Sequence, residues 1–194
     1  MMPISESAFK KAAEELNCEV AAVKAAAQVE SGGRGFLPDG RPVILYEAHQ
    51  FSKFTNHGYD KTHPKISSRT WNRSLYATGK NWVERGIKEH QRLELAASLD
   101  RDAALQACSW GMFQVMGFNW KDLGYKSIQA FVNAMYRNED EHLDSFIRFV
   151  KFKKLDRHLR NKNWDAFAVG YNGKGYKQNR YDEKLEEAYK QFKG

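Results

Sequence analysis

The stretch Ala25-Ala26-Ala27-Gln28-Val29-Glu30-Ser31-Gly32-Gly33 puts a single carboxylate at the end of an apolar run that reads as helix, closed by two glycines. Helix C-termini expose unpaired carbonyls and carry partial negative charge. An acid placed there is disfavoured in its ionised form. The apolar neighbours Ala26, Ala27 and Val29 add desolvation, which acts in the same direction. A glutamate so placed tends to keep its proton near neutral pH, as a general acid must. From position alone, a surface glutamate at a helix end is the commoner explanation of Glu30. Two later stretches move weight to the chemical one: Ser109-Trp110-Gly111-Met112-Phe113-Gln114 and Gly170-Tyr171-Asn172-Gly173.

The elements that must position these residues are mostly helical. Ser5 is a good N-cap, Ala8, Phe9, Ala12, Ala13 and Leu16 follow at helical spacing, and Asn17 ends the run. A second helix covers about 19–30, and Gly32 and Gly33 terminate it. Phe36-Leu37 and Val43-Ile44-Leu45-Tyr46 then flank Pro38-Asp39-Gly40-Arg41, which predicts a short β-hairpin with Glu47 leaving its second strand. Pro42 keeps that strand at an edge near its start. A short helix is expected at 49–54. Residues 56–82 read as a long irregular loop carrying Tyr59, Trp71, Tyr76 and Trp82, either as loop anchors or as platforms for sugar rings. Helices return at 85–98 and 101–109, with Asp100 as N-cap of the latter. Met116-Gly117-Phe118-Asn119-Trp120 reads as a tight buried connection. Further helices are predicted from Ser127 to about 137, at 139–153, 155–160, 164–171 and 181–192. With no internal repeat and no low-complexity linker, the pattern predicts one mainly α, α+β domain over 1–194, with a small hairpin after its second helix and no separate wall-binding module.

Composition narrows the partners. The chain has 194 residues and a formal net charge of +7, which favours anionic partners such as nucleic acid, phospholipid surfaces or acidic wall polymers. The run 146–162 concentrates that charge: Arg148, Lys151, Lys153, Lys154, Arg157, Arg160 and Lys162 stand against Asp156 alone. A solvated helix face explains it, and so does adhesion to an anionic envelope. Cys18 and Cys108 sit among apolar helical residues and read as buried free thiols, with a single disulfide the alternative. His57 and His63 flank a loop, but no metal-ligand spacing accompanies them, so neither metal nor cofactor is expected. No phosphate-binding loop and no nucleophile elbow is present. Neither a secretory signal nor an apolar run of membrane-spanning length is seen, so synthesis in the cytoplasm is expected.

The order of these motifs resembles the lysozyme-like superfamily, and in particular goose-type lysozymes and soluble lytic transglycosylases. It is most similar to the N-acetylmuramidase domain of phage and prophage endolysins. The resemblance rests on three separated runs. The first is Val29-Glu30-Ser31-Gly32-Gly33, continuing through Phe36-Leu37-Pro38-Asp39-Gly40-Arg41-Pro42 and Ile44-Leu45-Tyr46-Glu47-x-His49-x-Phe51. The second is Ala107-x-Ser109-Trp110-Gly111-x-Phe113-Gln114-x-Met116-Gly117-Phe118-Asn119. The third is Tyr171-Asn172-Gly173 ahead of Gly175-Tyr176. It spans roughly residues 5–192 and departs in the 56–82 loop, which has no Thr-Pro-Gly-Gly-Tyr type stretch.

The resemblance implies an endolysin-type peptidoglycan hydrolase cutting the β-1,4 bond between N-acetylmuramic acid and N-acetylglucosamine, with Glu30 as general acid. Such cleavage needs a protonated acid at the leaving oxygen and either a second carboxylate or a substrate group on the other face. Glu47 and Asp39 are both available. Glu47 is favoured, since Asp39 has an evident turn-capping role. By resemblance Ser31, Ser109, Gln114, Tyr171 and Asn172 would line the substrate site. Helix capping and internal hydrogen bonds explain the same residues without substrate. Lytic transglycosylation, which gives 1,6-anhydro products, is the alternative on the same bond. A non-catalytic basic binder of envelope or nucleic acid is the remote one, and no nucleic-acid motif supports it. The resemblance further implies a monomer that acts on peptidoglycan glycan strands after leaving the host bacterial cytoplasm for the wall.

Overall fold

The computed structural model describes residues 4–173, 177 and 179–194. The described chain divides into two compact units, one of residues 34–137 and one of 4–33 with 138–194. The Gly175-Tyr176 pair of the third motif lies outside the described residues.

The unit built from the chain's two ends is all helix. Its members are α1 (Glu6–Leu16), α2 (Val20–Glu30), α7 (Glu139–Phe152), α8 (Asp156–Arg160), α9 (Trp164–Asn172) and α10 (Tyr181–Lys193). Local chemistry sets the boundaries. The Ser5 hydroxyl accepts from the Ala8 N–H at the start of α1, and Asn17 closes that helix in the left-handed region at φ 51°. Ser5 also donates its N–H and its hydroxyl to Asp140 at 2.7 and 2.8 Å, which ties α1 to the first turn of α7. In α2 the residues Ala22, Val23, Ala25, Ala26 and Ala27 are all buried. Small side chains let neighbouring helices approach closely, and α10, α1 and α8 all pack on α2. Leu16, Leu143, Phe146, Ile147, Leu159 and Phe167 are the largest fully buried side chains of this unit.

The 34–137 unit holds the sheet. Its strands are β1 (Ile44–Tyr46), β2 (Cys108–Trp110) and β3 (Val115–Met116), antiparallel in that order. Leu45 stands opposite Ser109, and Trp110 opposite Val115. Its helices are α3 (Ala48–Phe54), α4 (Trp82–Leu99), α5 (Arg101–Gln106) and α6 (Ile128–Met135); α4 packs on β1, α5 on β2, and α3 and α6 on α5. Residues 55–81 hold a single 3₁₀ turn, Arg73–Leu75, among long irregular backbone. Tyr46, Phe51, Trp110, Phe131, Leu37 and Met135 are fully buried here.

Two expectations change. The turn at 36–42 forms, with the Leu37 N–H donating to the Arg41 carbonyl at 2.7 Å, but a lone Phe36–Pro42 bridge closes it. The strand after it pairs with Cys108–Trp110 instead. The helix expected over 101–109 accordingly stops at Gln106. Gly111, at φ +70°, and Gln114, at φ +49°, make the turn into β3. Cys18 and Cys108 are both free thiols. Among the described residues, no helix is long and apolar enough to cross a membrane.

Candidate active site

Glu30 is the last residue of α2, and its helix ends at Ser31, whose N–H donates to the Ala27 carbonyl at 3.0 Å. The Ser31 hydroxyl donates to the Gln28 carbonyl, at 3.5 Å. Glu30 is largely buried, and burial raises its carboxyl pKa from the ordinary glutamate range to about 7. The cause is desolvation of the charged form. One interaction works against it: Asn172 donates its side-chain N–H to Glu30 Oε1 at 2.9 Å, which favours the carboxylate. Asn172 is the last residue of α9, so two helix ends meet at this acid.

Tyr171 adjoins it. Its ring stacks on Phe167 at 5.9 Å and meets Phe146 and Phe149 edge-on at 5.5 and 5.7 Å. Burial and the nearby Glu30 both raise the phenol's pKa, so it stays protonated. The 4–33/138–194 unit thus brings together Glu30, Tyr171 and Asn172, three residues separated by most of the sequence.

The 34–137 unit places the other candidates in three groups. Glu47 follows β1 and precedes α3. The Tyr76 hydroxyl lies 2.9 and 2.8 Å from its two carboxylate oxygens, and His49 Nδ1 is 3.2 Å from Oε2. Tyr76 in turn accepts from the Trp71 indole N–H at 2.6 Å. Burial and the adjoining carboxylate push the Tyr76 phenol up to about 12. The Trp71 ring is 59% exposed although its N–H is engaged, so a flat aromatic surface stands beside a held carboxylate.

Asp39 sits differently. Its Oδ1 accepts the Arg41 backbone N–H at 3.1 Å, and its Oδ2 takes the Arg41 guanidinium at 2.7 and 3.0 Å. That pairing holds its carboxyl below the usual aspartate range. Asp39 is spent on its own turn.

Ser109 and Gln114 form the third group. The Ser109 hydroxyl donates to Gln114 Oε1 at 2.8 Å, and the Gln114 amide donates to the carbonyls of Gly111 and Val43 at 2.8 and 3.3 Å. Both side chains bind the β2–β3 turn to the start of β1.

Sequence reasoning named Tyr76 and Trp71 only as loop aromatics and did not connect them to Glu47. No local signal marks a phenol placed by a loop against a strand end. Glu89, on α4, was not considered at all, although it breaks an apolar stripe at helical spacing, with Gly86, Leu93 and Ala96 on the same buried face. Among the described residues, no group of three or more histidine, cysteine, aspartate or glutamate side chains is arranged to hold a metal ion.

Comparison with known proteins bears on what these groups do. A family model described as N-acetylmuramidase matches residues 19–193. The crystal structure of Burkholderia AP3 phage endolysin is similar at 41% sequence identity with a TM-score of 0.88, over 98% of this chain and 71% of that one. Among curated proteins no match is found. With the family model covering nearly the whole sequence and the Glu30, Glu47 and Gln114 runs inside it, the chain belongs to the N-acetylmuramidase family.

Proposed function

We propose that this protein is an endolysin-type peptidoglycan hydrolase that cleaves the β-1,4 bond between N-acetylmuramic acid and N-acetylglucosamine. Glu30 is the general acid. The observation that carries this role is the buried carboxyl at the end of α2, with its pKa raised to about 7 and Asn172 on one oxygen. A carboxyl titrating there is still substantially protonated at neutral pH. It can give its proton to the leaving oxygen and take one back from water.

Glu47 is the second carboxylate, the group that stabilises positive charge at the sugar carbon or activates water on the opposite face. The Tyr76 hydroxyl on both its oxygens and His49 beside it favour that role over Asp39, which is committed to Arg41. Ser31, Tyr171 and Asn172 accompany Glu30 in one unit, with Asn172 bonded to its carboxylate, and Ser109 and Gln114 brace the turn into β3 in the other; all five are substrate-site residues in this reading. In this reading residues 1–194 work as one catalytic domain, as a monomer. They meet the glycan strands of the wall after release from the host bacterial cytoplasm.

Glu30→Gln should abolish clearing of purified peptidoglycan while leaving the helical circular dichroism intact. Clearing that survives the substitution removes Glu30 from the role. Mass spectra of the wild-type digest test the reaction type. Reducing-end muramic acid is expected, and 1,6-anhydro ends instead would mean lytic transglycosylation on the same bond.

A further inference from the structure

Helix α4 carries a buried carboxyl group that the reaction just described leaves without a task. Glu89 is 3% exposed. Three donors converge on its two oxygens. The Tyr46 N–H reaches Oε2 at 3.1 Å, Arg92 Nη1 reaches the same oxygen at 2.8 Å, and the Ala77 N–H reaches Oε1 at 2.7 Å. Arg92 also donates to the Tyr46 carbonyl at 3.2 Å, and its guanidinium lies 4.9 Å from the centre of the Tyr46 ring.

The two backbone donors are the immediate neighbours of a pair already described. Tyr46 precedes Glu47, and Ala77 follows Tyr76. One side chain therefore grips the strand end that presents the carboxylate and the loop that presents the phenol. Farther along, the loop is held by other contacts, the Tyr59 hydroxyl on the Leu99 carbonyl and the Tyr46 hydroxyl on the Ile66 carbonyl, whereas next to Tyr76 it is the Ala77 N–H that ties it to Glu89. Hydrogen bonds to a carboxylate are among the stronger ones in proteins, and a long buried helix is a firm base for them.

We propose that Glu89 is a positioning residue that sets the Tyr76–Glu47 hydrogen bonds and so fixes the orientation of the second carboxylate. The inference rests on the reading that Glu47 takes part in the reaction. A buried acid that merely satisfies α4 would be indifferent to Tyr76. A positioning acid acts through it. Catalysis is sensitive to such placement, since a displacement of about 1 Å at a reacting group can cost on the order of 100-fold in rate.

The experiment is a double-mutant cycle with soluble uncrosslinked glycan strands as substrate, run well below each variant's melting temperature. Glu89→Gln keeps the volume but offers an N–H where an acceptor is needed. It should lower kcat by roughly 10- to 100-fold with KM within about twofold. Tyr76→Phe should also lower kcat, and adding Glu89→Gln to it should cost less than about threefold more, because no phenol bond remains to be set.

Full multiplicative losses in the double variant, or a change confined to KM, would overturn the proposal. Should Glu89→Gln fold poorly, Ala77→Pro provides the same reading. It deletes only the loop's donor, and Tyr76 already has the extended backbone, at ψ 149°, that a following proline requires. Ala77→Pro should reproduce the loss in kcat, and wild-type kcat in that variant ends the argument. A Glu47→Gln enzyme with full activity would instead sink the role of Glu47 itself. That outcome is distinct from one in which Glu47→Gln and Tyr76→Phe are impaired while Glu89→Gln is not.

Discussion

At the scale of single residues, ionising the buried acid at position 30 costs the folded state stability as pH rises. Its folded pKa of about 7 lies above the ordinary 4.5, so between those values the native protein binds more protons than the unfolded chain. Stability from this group is therefore fully present below about pH 4.5 and is lost as pH rises to about 7, by up to roughly 3 kcal/mol. Glu30→Gln removes the titration. The variant should gain melting temperature relative to the wild type as pH goes from 4.5 to 7, and calorimetry at several pH values reads this directly. A difference that stays flat with pH would mean the carboxyl is not buried in solution. If Glu30 is the general acid proposed above, the same proton sets the alkaline limb of kcat, expected near pH 7. Asn172→Ala deletes a contact that favours the charged form, so the limb should move upward in pH even as the maximum rate falls. A limb that moves down would show that Asn172 does not bond the carboxylate.

At the scale of elements, α4 organises the 34–137 unit. Gly86 lies against Leu37, where an added Cβ would come within 2.5 Å of the leucine side chain. His90, its imidazole driven toward the neutral form by burial, contacts the Pro42 carbonyl through Nε2 at 2.9 Å. Glu89 then grips β1 and the loop. A comparable contact stands at Gly117, after β3, where a Cβ would meet the Leu105 carbonyl oxygen at 2.3 Å. Gly117→Ala has to displace backbone, so it should cost about 1–3 kcal/mol, a fall of several degrees in melting temperature. An unchanged melting curve would mean the turn does not rest on α5.

These contacts mark the boundary of what the sequence reveals. Caps such as Ser5, Asn17, Asp100 and Ser127 lie within a turn of the helices they start or stop, so α1, α5 and α6 begin or end at them. The β1–β2 pairing joins residues far apart in sequence. Moreover, Ala103, Ala104 and Leu105 run into Cys108 on a helical period, so the strand was hidden inside an apparent helix. The place of Glu30 at the end of α2 was legible because a carboxylate shortly before a double glycine is a local pattern. Its bond to Asn172, and the Tyr76 hydroxyl on Glu47, are tertiary and leave no local trace.

At the scale of the whole molecule, the charge of +7 is not spread as the sequence suggests. Within 146–162, Arg148 pairs with Asp144, Arg160 with Asp156, Lys151 with Glu15 and Lys162 with Glu19. Lys151 and Lys162 are exposed although paired; Lys153, Lys154 and Arg157 are exposed as well, as is Phe152 at 42%, and Lys153 lies 5.5 and 5.6 Å from the ring centres of Phe149 and Phe152. Three cations beside an exposed ring suit a densely anionic polymer surface. If the patch holds the enzyme on an anionic envelope, replacing Lys153, Lys154 and Arg157 with glutamate should weaken adsorption to intact anionic walls by roughly tenfold at about 20 mM salt. The gap should close near 300 mM, where the screening length falls to about 6 Å. Turnover of short soluble glycan fragments near 300 mM salt should not change, because such a patch serves the approach to the wall and takes no part in bond cleavage. Equal adsorption by variant and wild type at low salt would return these residues to the role of a solvated helix face.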